Sequence, residues 1–370
     1  MSGDHTIAVG LDVTHALINR TGLGRYAAEL QQSLQQRPGV RVIPIRAVRR
    51  VSPSPVGRVM QGLRREALYY PERFARAGAR AGAQVLHLPT PAPGRGRGLP
   101  LVVTVHDLLP LRHPDLFTRQ TRAHTHLYAP FVRRAARLIT PSEYTRGEVI
   151  ELLGVPAGRV VTVPNGLDPR FSPREVDRDK LAREFGITGR YVLAAGTLEP
   201  RKNLTAVLRA FPQVAEAFDD VTLVVAGGRG WRNDTFESEL ARSTLAGRVR
   251  LTGFVSDERL TELYSGAACF VYPSLAEGFG LPPLEAMACG APVIAGNRTA
   301  LPEVLGSAGL LVDPEDHTAL AAQLLRVLQD QELARSMRAA GLDRAGRFSW
   351  AATAAATEQV YRQALASRGL

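Results

Sequence analysis

Glu277-Gly-Phe-Gly-Leu-Pro-Pro-Leu-Glu285, followed at once by Ala-Met-Ala-Cys-Gly290-Ala-Pro-Val-Ile294, sets two carboxylates on either side of a glycine turn that opens a helix. Gly278 and Gly280 let the backbone pass close to a ligand, and Pro282 or Pro283 suits the first helical position, where a missing amide costs nothing. The free amides around Phe279 to Leu281 are then expected to face an anion, helped by the helix dipole. Glu285, about one turn in, can accept paired hydrogen bonds from vicinal hydroxyls such as a ribose diol. This is the pattern of a site for a phosphorylated sugar. The plainer reading, that Glu277 caps a turn and Glu285 complements a dipole, serves each carboxylate alone better than it serves the whole string.

Outward from this stretch, apolar strand-like runs alternate with helical patterns from end to end, the signature of parallel sheets with crossover helices. Strands are expected at Thr6–Val13, Arg41–Ile45, Gln84–Leu88, Leu101–Val105 and Arg137–Thr140, then at Arg190–Ala195, Val221–Ala226, Arg248–Leu251, Ala268–Tyr272, Pro292–Ile294 and Gly309–Val312. Val163 to Pro173 is rich in turn formers and lacks apolar periodicity, which places a domain junction there. The chain divides into residues 1–170, 171–346 and a last amphipathic helix within 347–370 that begins with Phe348-Ser-Trp350 and docks on the first domain. At 370 residues, two α/β domains are the natural fit. In open parallel sheets ligands bind beyond the carboxyl ends of strands. That singles out His106-Asp107, Gly196 to Asn203, Gly227 to Gly230 and Glu277.

No apolar run reaches the roughly 20 residues of a membrane span, and the opening Met-Ser-Gly-Asp-His lacks a signal-peptide pattern, so a cytoplasmic protein is expected. Cys269 and Cys289 have no metal or redox spacing and read as core residues. His113, His124 and His126 read as surface histidines, with a metal site as the alternative. Ser142 reads as an N-cap. Charge is unevenly distributed: residues 1–170 hold 24 Arg against 11 acidic residues, a balance of +13, whereas the remainder sums to −2. Such asymmetry points to an anionic partner for the first half. With no recognition helix, zinc module or aromatic ribonucleoprotein motif, an anionic membrane surface or lipid-phosphate acceptor fits better than nucleic acid. The Arg-rich stretch from Arg58 to Arg80, with Tyr69, Tyr70 and Phe74 interleaved and Pro71 breaking the pattern, reads equally as an interfacial helix or a solvated one.

Thr21-Gly-Leu-Gly-Arg-Tyr26, Val103 through Pro114 with His106-Asp107 inside it, Pro141-Ser-Glu-Tyr144, Val163-Pro-Asn-Gly166, Gly196-Thr-Leu-Glu-Pro-Arg-Lys-Asn203, Gly227-Gly-Arg-Gly-Trp231 and Glu277 through Glu285 stand in this order along nearly the whole chain. In these motifs the sequence resembles the retaining nucleotide-sugar glycosyltransferases of family 4, and within them bacterial mannosyltransferase-like members. The resemblance implies a GT-B fold: two Rossmann-like domains facing across a cleft, the nucleotide donor held mainly by the C-terminal one, the acceptor by the N-terminal one, and a C-terminal helix crossing back. Carried over residue by residue, it implies that Glu285 binds the ribose and Glu277 the donor sugar, with Gly278 and the amides of Phe279, Gly280 and Leu281 near sugar and phosphate. Lys202 would hold the diphosphate, Gly22 and Gly24 would approach it from the other domain, and His106 would lie near the reacting sugar.

One departure bears on mechanism. Many members carry Arg directly after the glycine matching Gly196, where this chain has Thr197, so leaving-group stabilisation falls to Lys202 with Arg201 or another Arg. Departure of a diphosphate from an anomeric carbon develops negative charge that cations and amide dipoles stabilise, so neither an enzyme nucleophile nor a metal clamp is required. The expectation is a metal-independent, cofactor-free retaining hexosyltransferase, catalysed by His106, Lys202 and Glu277. Its donor is expected to be GDP-mannose and its acceptor a glycan or lipid-linked molecule of cell-surface polysaccharide or glycolipid synthesis, with peripheral contact to anionic membrane through residues 1–170. A UDP-sugar donor, a non-catalytic sugar-nucleotide-binding protein and a nucleotide-sugar epimerase are the alternatives.

Overall fold

A computed structural model describes residues 6–18, 22–48, 54–230, 234–243, 245 and 247–367, the side chains of 55, 56, 58, 59 and 63 excepted. Residues 1–5, Thr21 and Trp231 of the stretches quoted above lie outside it, as does the side chain of Arg58. The chain forms two compact units, one of residues 1–166 with 349–370 and one of residues 167–348. It passes between them at Gly166/Leu167 and Phe348/Ser349, where the sequence placed the boundaries at 170/171 and 346/347.

The first unit is built on six parallel strands: β1 (Ile7–Asp12), β2 (Val40–Ile45), β3 (Val85–Leu88), β4 (Leu101–Thr104), β5 (Arg137–Thr140) and β6 (Val160–Thr162). Their spatial order is β2-β1-β3-β4-β5-β6, which reverses between β1 and β3. Strands β1, β3 and β4 are buried along their whole length, as a parallel sheet covered on both faces requires. The short strand β6 was absent from the expected set; three residues at a sheet edge carry too little apolar pattern to stand out. The final helix, Trp350–Ala366, is capped by Ser349 and buries Trp350, Ala354, Val360, Tyr361 and Ala364 in one core with Tyr26, Leu30 and strands β1 and β3.

Pro71 does not interrupt the basic segment as the sequence pattern implied. Helix continues through it: Pro55–Arg64 runs into a wider π-helical stretch, Arg65–Arg73, and on into Phe74–Arg80. Proline lacks the amide an α-turn needs, and the wider turn carries the chain past it, with the Phe74 amide bonding to the Tyr69 carbonyl five residues back. Tyr70 and Phe74 are fully buried, and the Tyr70 hydroxyl donates to Asp12 Oδ2 at 2.8 Å, so this segment is tied to the carboxyl end of β1 through its aromatic residues.

The second unit repeats the scheme with β7 (Arg190–Ala195), β8 (Val221–Ala226), β9 (Val249–Gly253), β10 (Cys269–Tyr272), β11 (Val293–Gly296) and β12 (Leu310–Val312), all parallel. Their order is β12-β11-β10-β7-β8-β9, so the direction of winding reverses between β7 and β10. Helices His317–Gln329 and Gln331–Ala345 follow the last strand, each N-capped by an Asp side chain, Asp316 and Asp330. Cys269 in β10 and Cys289 at a helix end are buried free thiols, and Ser142 caps Glu143–Leu153 by accepting from the Thr145 amide at 3.1 Å. No helix among the described residues is long and apolar enough to cross a membrane.

Candidate active site

The reversal between β7 and β10 opens a crevice beyond the carboxyl ends of both strands, the place where open parallel sheets bind ligands. Lys202 comes from the segment after β7, in a short 3-10 turn, Pro200–Lys202, which Asn203 ends in the left-handed region (φ 53°). The Asn203 side-chain Nδ2 donates to the Pro314 carbonyl at 2.6 Å and anchors that corner. Glu277 comes from the loop after β10. Their side chains meet, Lys202 Nζ to Glu277 Oε1 at 2.7 Å, so one ion pair bridges the crevice.

Glu277 is the hub of a buried polar network. Its Oε1 also accepts from the Tyr272 hydroxyl at 2.8 Å and the Ser274 hydroxyl at 2.7 Å, and its Oε2 accepts from Arg201 Nη1 at 2.5 Å. Arg201 in turn pairs with Glu199 at 2.7 Å, and the Lys202 ammonium donates to the Tyr272 hydroxyl as well. The Glu277 amide donates to Thr299 Oγ1 at 2.9 Å, which fixes the backbone. Burial alone pushes the Glu277 carboxyl up, but the Arg201 and Lys202 charges and the bonds from Lys202 and Ser274 outweigh it and hold the pKa at about 2. Burial pushes the Lys202 ammonium down, opposed chiefly by Glu277. The result is a lasting carboxylate beside two cations, able to accept hydroxyl hydrogen bonds and to present positive charge to an oxyanion.

Three residues on from Glu277, Gly280 caps the helix Leu281–Ala288 with φ 118°, a conformation open to glycine, and a Cβ there would lie 2.8 Å from Leu301. Leu281 therefore takes the first helical position and Pro282 the second, one place later than expected, still inside the turn whose amides have no helical partner. Glu285 lies in this helix, 7% exposed, and Phe279 packs edge-on against Phe348 at 5.8 Å. Gly278, between Glu277 and Phe279, completes the turn. At the end of β8, Gly227 allows the two glycine loops to touch, since a Cβ on it would fall 1.9 Å from the Gly196 carbonyl oxygen. Thr197 lies against that second loop, its methyl 2.8 Å from a Cβ placed on Gly230.

Sequence reasoning missed Tyr272, Ser274, Glu199 and Thr299, all in the network above. Tyr272 ends an apolar strand and looks there like core. It also missed a cavity of about 560 Å³ beyond β8 and β9, lined by Gly227, Arg229, Phe236, Glu237, Thr252 and Gly253 among others. Beside it Phe254 is 78% exposed, an unusual position for a phenylalanine.

The other sequence-predicted residues lie in the first unit. Gly22 caps the helix Leu23–Gln35, which follows β1, and Gly24 is buried in its first turn. His106 follows β4 and bonds through Nε2 to the Pro89 carbonyl at 2.8 Å, which makes Nε2 the protonated nitrogen. Burial lowers its pKa to about 4, so the ring is neutral at neutral pH. It packs edge-on against Tyr26 at 4.6 Å. Tyr26 starts a buried chain with no counterpart among the sequence motifs: its hydroxyl meets Thr104 Oγ1 at 3.2 Å, Thr104 meets His87 Nε2 at 2.9 Å, and His87 Nδ1 meets the Tyr361 hydroxyl of the last helix at 2.7 Å. Among the described residues no three His, Cys, Asp or Glu side chains gather to hold a metal; His124 packs on Tyr128 and stands 3.9 Å from Glu66.

Comparison with known proteins shows the family. The profile of the Glycosyl transferases group 1 domain matches residues 177–344, and that of Glycosyltransferase Family 4 matches residues 20–171. Sucrose-phosphate synthase from Thermosynechococcus elongatus aligns over 98% of this chain and 100% of its own with a TM-score of 0.73 at 22% identity. WaaG, a glycosyltransferase involved in lipopolysaccharide biosynthesis, aligns over 96% and 98% with a TM-score of 0.69 at 17% identity. The fold is that of a GT-B glycosyltransferase, and the protein is a hexosyltransferase. The O-antigen chain mannosyltransferase B of Escherichia coli is 34% identical over 369 residues, 92% of this chain and 96% of that one, and the serotype-specific mannosyltransferase WbdA of the same organism is 32% identical over 68% of this chain and 32% of its own length. The chain belongs to glycosyltransferase family 4 and is similar to its bacterial mannosyltransferases.

Proposed function

We propose that the protein transfers mannose from GDP-mannose, with retention of anomeric configuration and without a metal, to a glycan or lipid-linked acceptor. The observation that carries the reading is the Lys202–Glu277 pair at the strand-order reversal, a few residues before a helix N-terminus at Gly280. In this reading the diphosphate lies against Lys202 and the amides at Gly280 and Leu281, with Arg201 as the second cation where Thr197 replaces an Arg. Glu277 accepts from the sugar hydroxyls and Glu285 from the ribose, while Gly22 and Gly24 approach the diphosphate and His106 serves the reacting sugar. As carbon–oxygen cleavage proceeds, the departing phosphate gains charge that fixed cations stabilise, and it can take the acceptor's proton. The mannosyl group comes from likeness to the mannosyltransferase relatives and cell-surface polysaccharide synthesis from the O-antigen one, while GDP is what the resemblance of the motifs implies. The basic first unit suits an acceptor held at an anionic membrane.

The donor is tested by melting the protein with GDP, UDP, ADP and their sugar conjugates. At 100 times its dissociation constant the right nucleotide adds about 2.7 kcal/mol of stability. GDP and GDP-mannose are expected to raise the melting temperature and the others to do little; a larger shift with UDP compounds overturns the GDP assignment while leaving the hexosyltransferase intact.

A further inference from the structure

A cavity of about 670 Å³ opens in the first unit beyond the carboxyl end of β2, within the range of about 300–1,000 Å³ typical of small-molecule sites. Its wall is formed by Ala47 and Val48 after β2 and by Gln61, Arg64, Arg65, Leu68, Tyr69 and Arg73 of the helical segment that follows. Among the described residues, three guanidiniums and no carboxylate line it. Arg65 is bound to the neighbouring Glu66 at 3.0 Å, while Arg64 and Arg73 are exposed at the rim. The Tyr69 hydroxyl is buried with no hydrogen-bond partner among the described residues, an arrangement that costs free energy unless a ligand supplies an acceptor. Burial, with the Asp12 charge adding to it, keeps that hydroxyl protonated and so a donor.

The cavity is also held in shape. The Tyr70 hydroxyl donates to Asp12, the Ala47 amide donates to Thr14 Oγ1 at 2.9 Å, and Thr14 donates to Asp12 in turn, so both walls are tied to the end of β1. Planar guanidiniums recognise phosphate oxygens through paired hydrogen bonds, and a neutral phenol beside them discriminates an acceptor-rich group from a cation. Arg76, the next arginine along, is engaged instead with Glu72 and lies outside the lining.

We infer that this cavity binds a phosphate or diphosphate group carried by the acceptor, with Arg64, Arg65 and Arg73 as the cations and Tyr69 as a neutral donor. The inference rests on the proposed function only in calling the phosphate's bearer an acceptor. The ligand chemistry is the same for a lipid headgroup and for a soluble phosphorylated molecule, and the two are told apart by presentation.

The full-length protein, with the nucleotide that gave the largest melting shift present at saturation so that the second unit's own phosphate contacts are filled, is titrated with inorganic pyrophosphate and, separately, with phosphatidylcholine vesicles with and without phosphatidic acid. Binding to pyrophosphate or to the phosphatidic acid vesicles is expected, and Arg64→Gln with Arg73→Gln is expected to weaken it by about tenfold or more, since each removes a hydrogen bond to a charged group. Leu68→Glu, at a side chain 53% exposed, places an anion in the wall without removing an arginine and is expected to weaken binding likewise, which guards against misfolding of the double variant. Loss in both arms supports the site for either source. Loss confined to pyrophosphate assigns a soluble phosphate, and loss confined to vesicles assigns a lipid headgroup. No binding in either arm, or binding that the three substitutions leave unchanged, overturns the proposal. Were no nucleotide to shift melting, the same titrations run without one would still decide the cavity, so the two readings fail separately.

Discussion

Glu277→Ala is expected to lower the melting temperature by roughly 6–20 °C, because it leaves the buried Lys202 and the part-buried Arg201 without their shared carboxylate. Removing one partner of a buried pair costs about 3–5 kcal/mol, and a unit of this size loses about 2–4 °C per kcal/mol. The lower part of that range is favoured, since Arg201 keeps Glu199. The pKa gives an independent figure of the same order. Held at about 2 when folded, against 4.5 unperturbed, the carboxyl contributes stability on the order of 3 kcal/mol. Because the folded pKa is depressed, that contribution is present above pH 4.5 and is lost as pH falls toward 2. The parent and Glu277→Ala should therefore differ most near neutrality and converge in acid, which thermal melts from pH 7 to pH 3 would show. Glu277→Gln keeps an oxygen for Tyr272 and Ser274 but turns an amide nitrogen toward Arg201 or Lys202, so part of the loss should remain. A constant difference across the pH range would mean that the Glu277 carboxyl titrates alike in the folded and unfolded protein, and a difference that grew in acid would mean that it is uncharged in the fold.

Lys202→Ala is expected to reduce kcat/KM about 100- to 1,000-fold, the cost of removing one preorganised donor from a developing oxyanion. The ammonium sits at the strand-order reversal, where it holds the Glu277 carboxylate and, in the proposed function, the leaving diphosphate. Part of the loss will appear as weaker nucleotide binding and the rest in turnover, since the phosphate is more negative in the transition state than in the bound donor. The double variant with Glu277→Ala should lose much less than the product of the two single effects, because each residue holds the other in place. Strict additivity in steady-state kinetics would show that the pair does not act as a unit.

Much of the architecture could be anticipated from the chain because it rests on local pattern. Runs such as Tyr191 to Ala195 and Val221 to Ala226 are apolar on both faces, as covered parallel strands must be, and they sit within a residue or two of where the pattern put them. Strand β6 escaped because Val160–Thr162 borrows its identity from pairing with β5. Glu277, Gly280 and Lys202 were visible as residue types at revealing spacings. Their meeting was not, since it depends on β10 lying beside β7, a fact of sheet order that no local window contains. Tyr272 is the sharpest case: an aromatic at the end of an apolar run looks like packing until the fold turns its hydroxyl onto Glu277. The arginine-lined cavity was hidden for the same reason, and Pro71 looked like a helix break because a π-helical turn leaves no separate mark in sequence.

The proposed reaction is retaining transfer from GDP-mannose by a site that uses Lys202 and Glu277 in place of a metal. Proton NMR of the sugar first released when the protein, in excess EDTA, hydrolyses GDP-mannose tests it most directly. α-Mannose is expected to appear first and to mutarotate later, with release at a rate that EDTA leaves unchanged and that Lys202→Ala lowers about 100-fold or more. Release of β-mannose first, a rate abolished by EDTA and restored by Mg²⁺ or Mn²⁺, or a rate indifferent to Lys202 would contradict it.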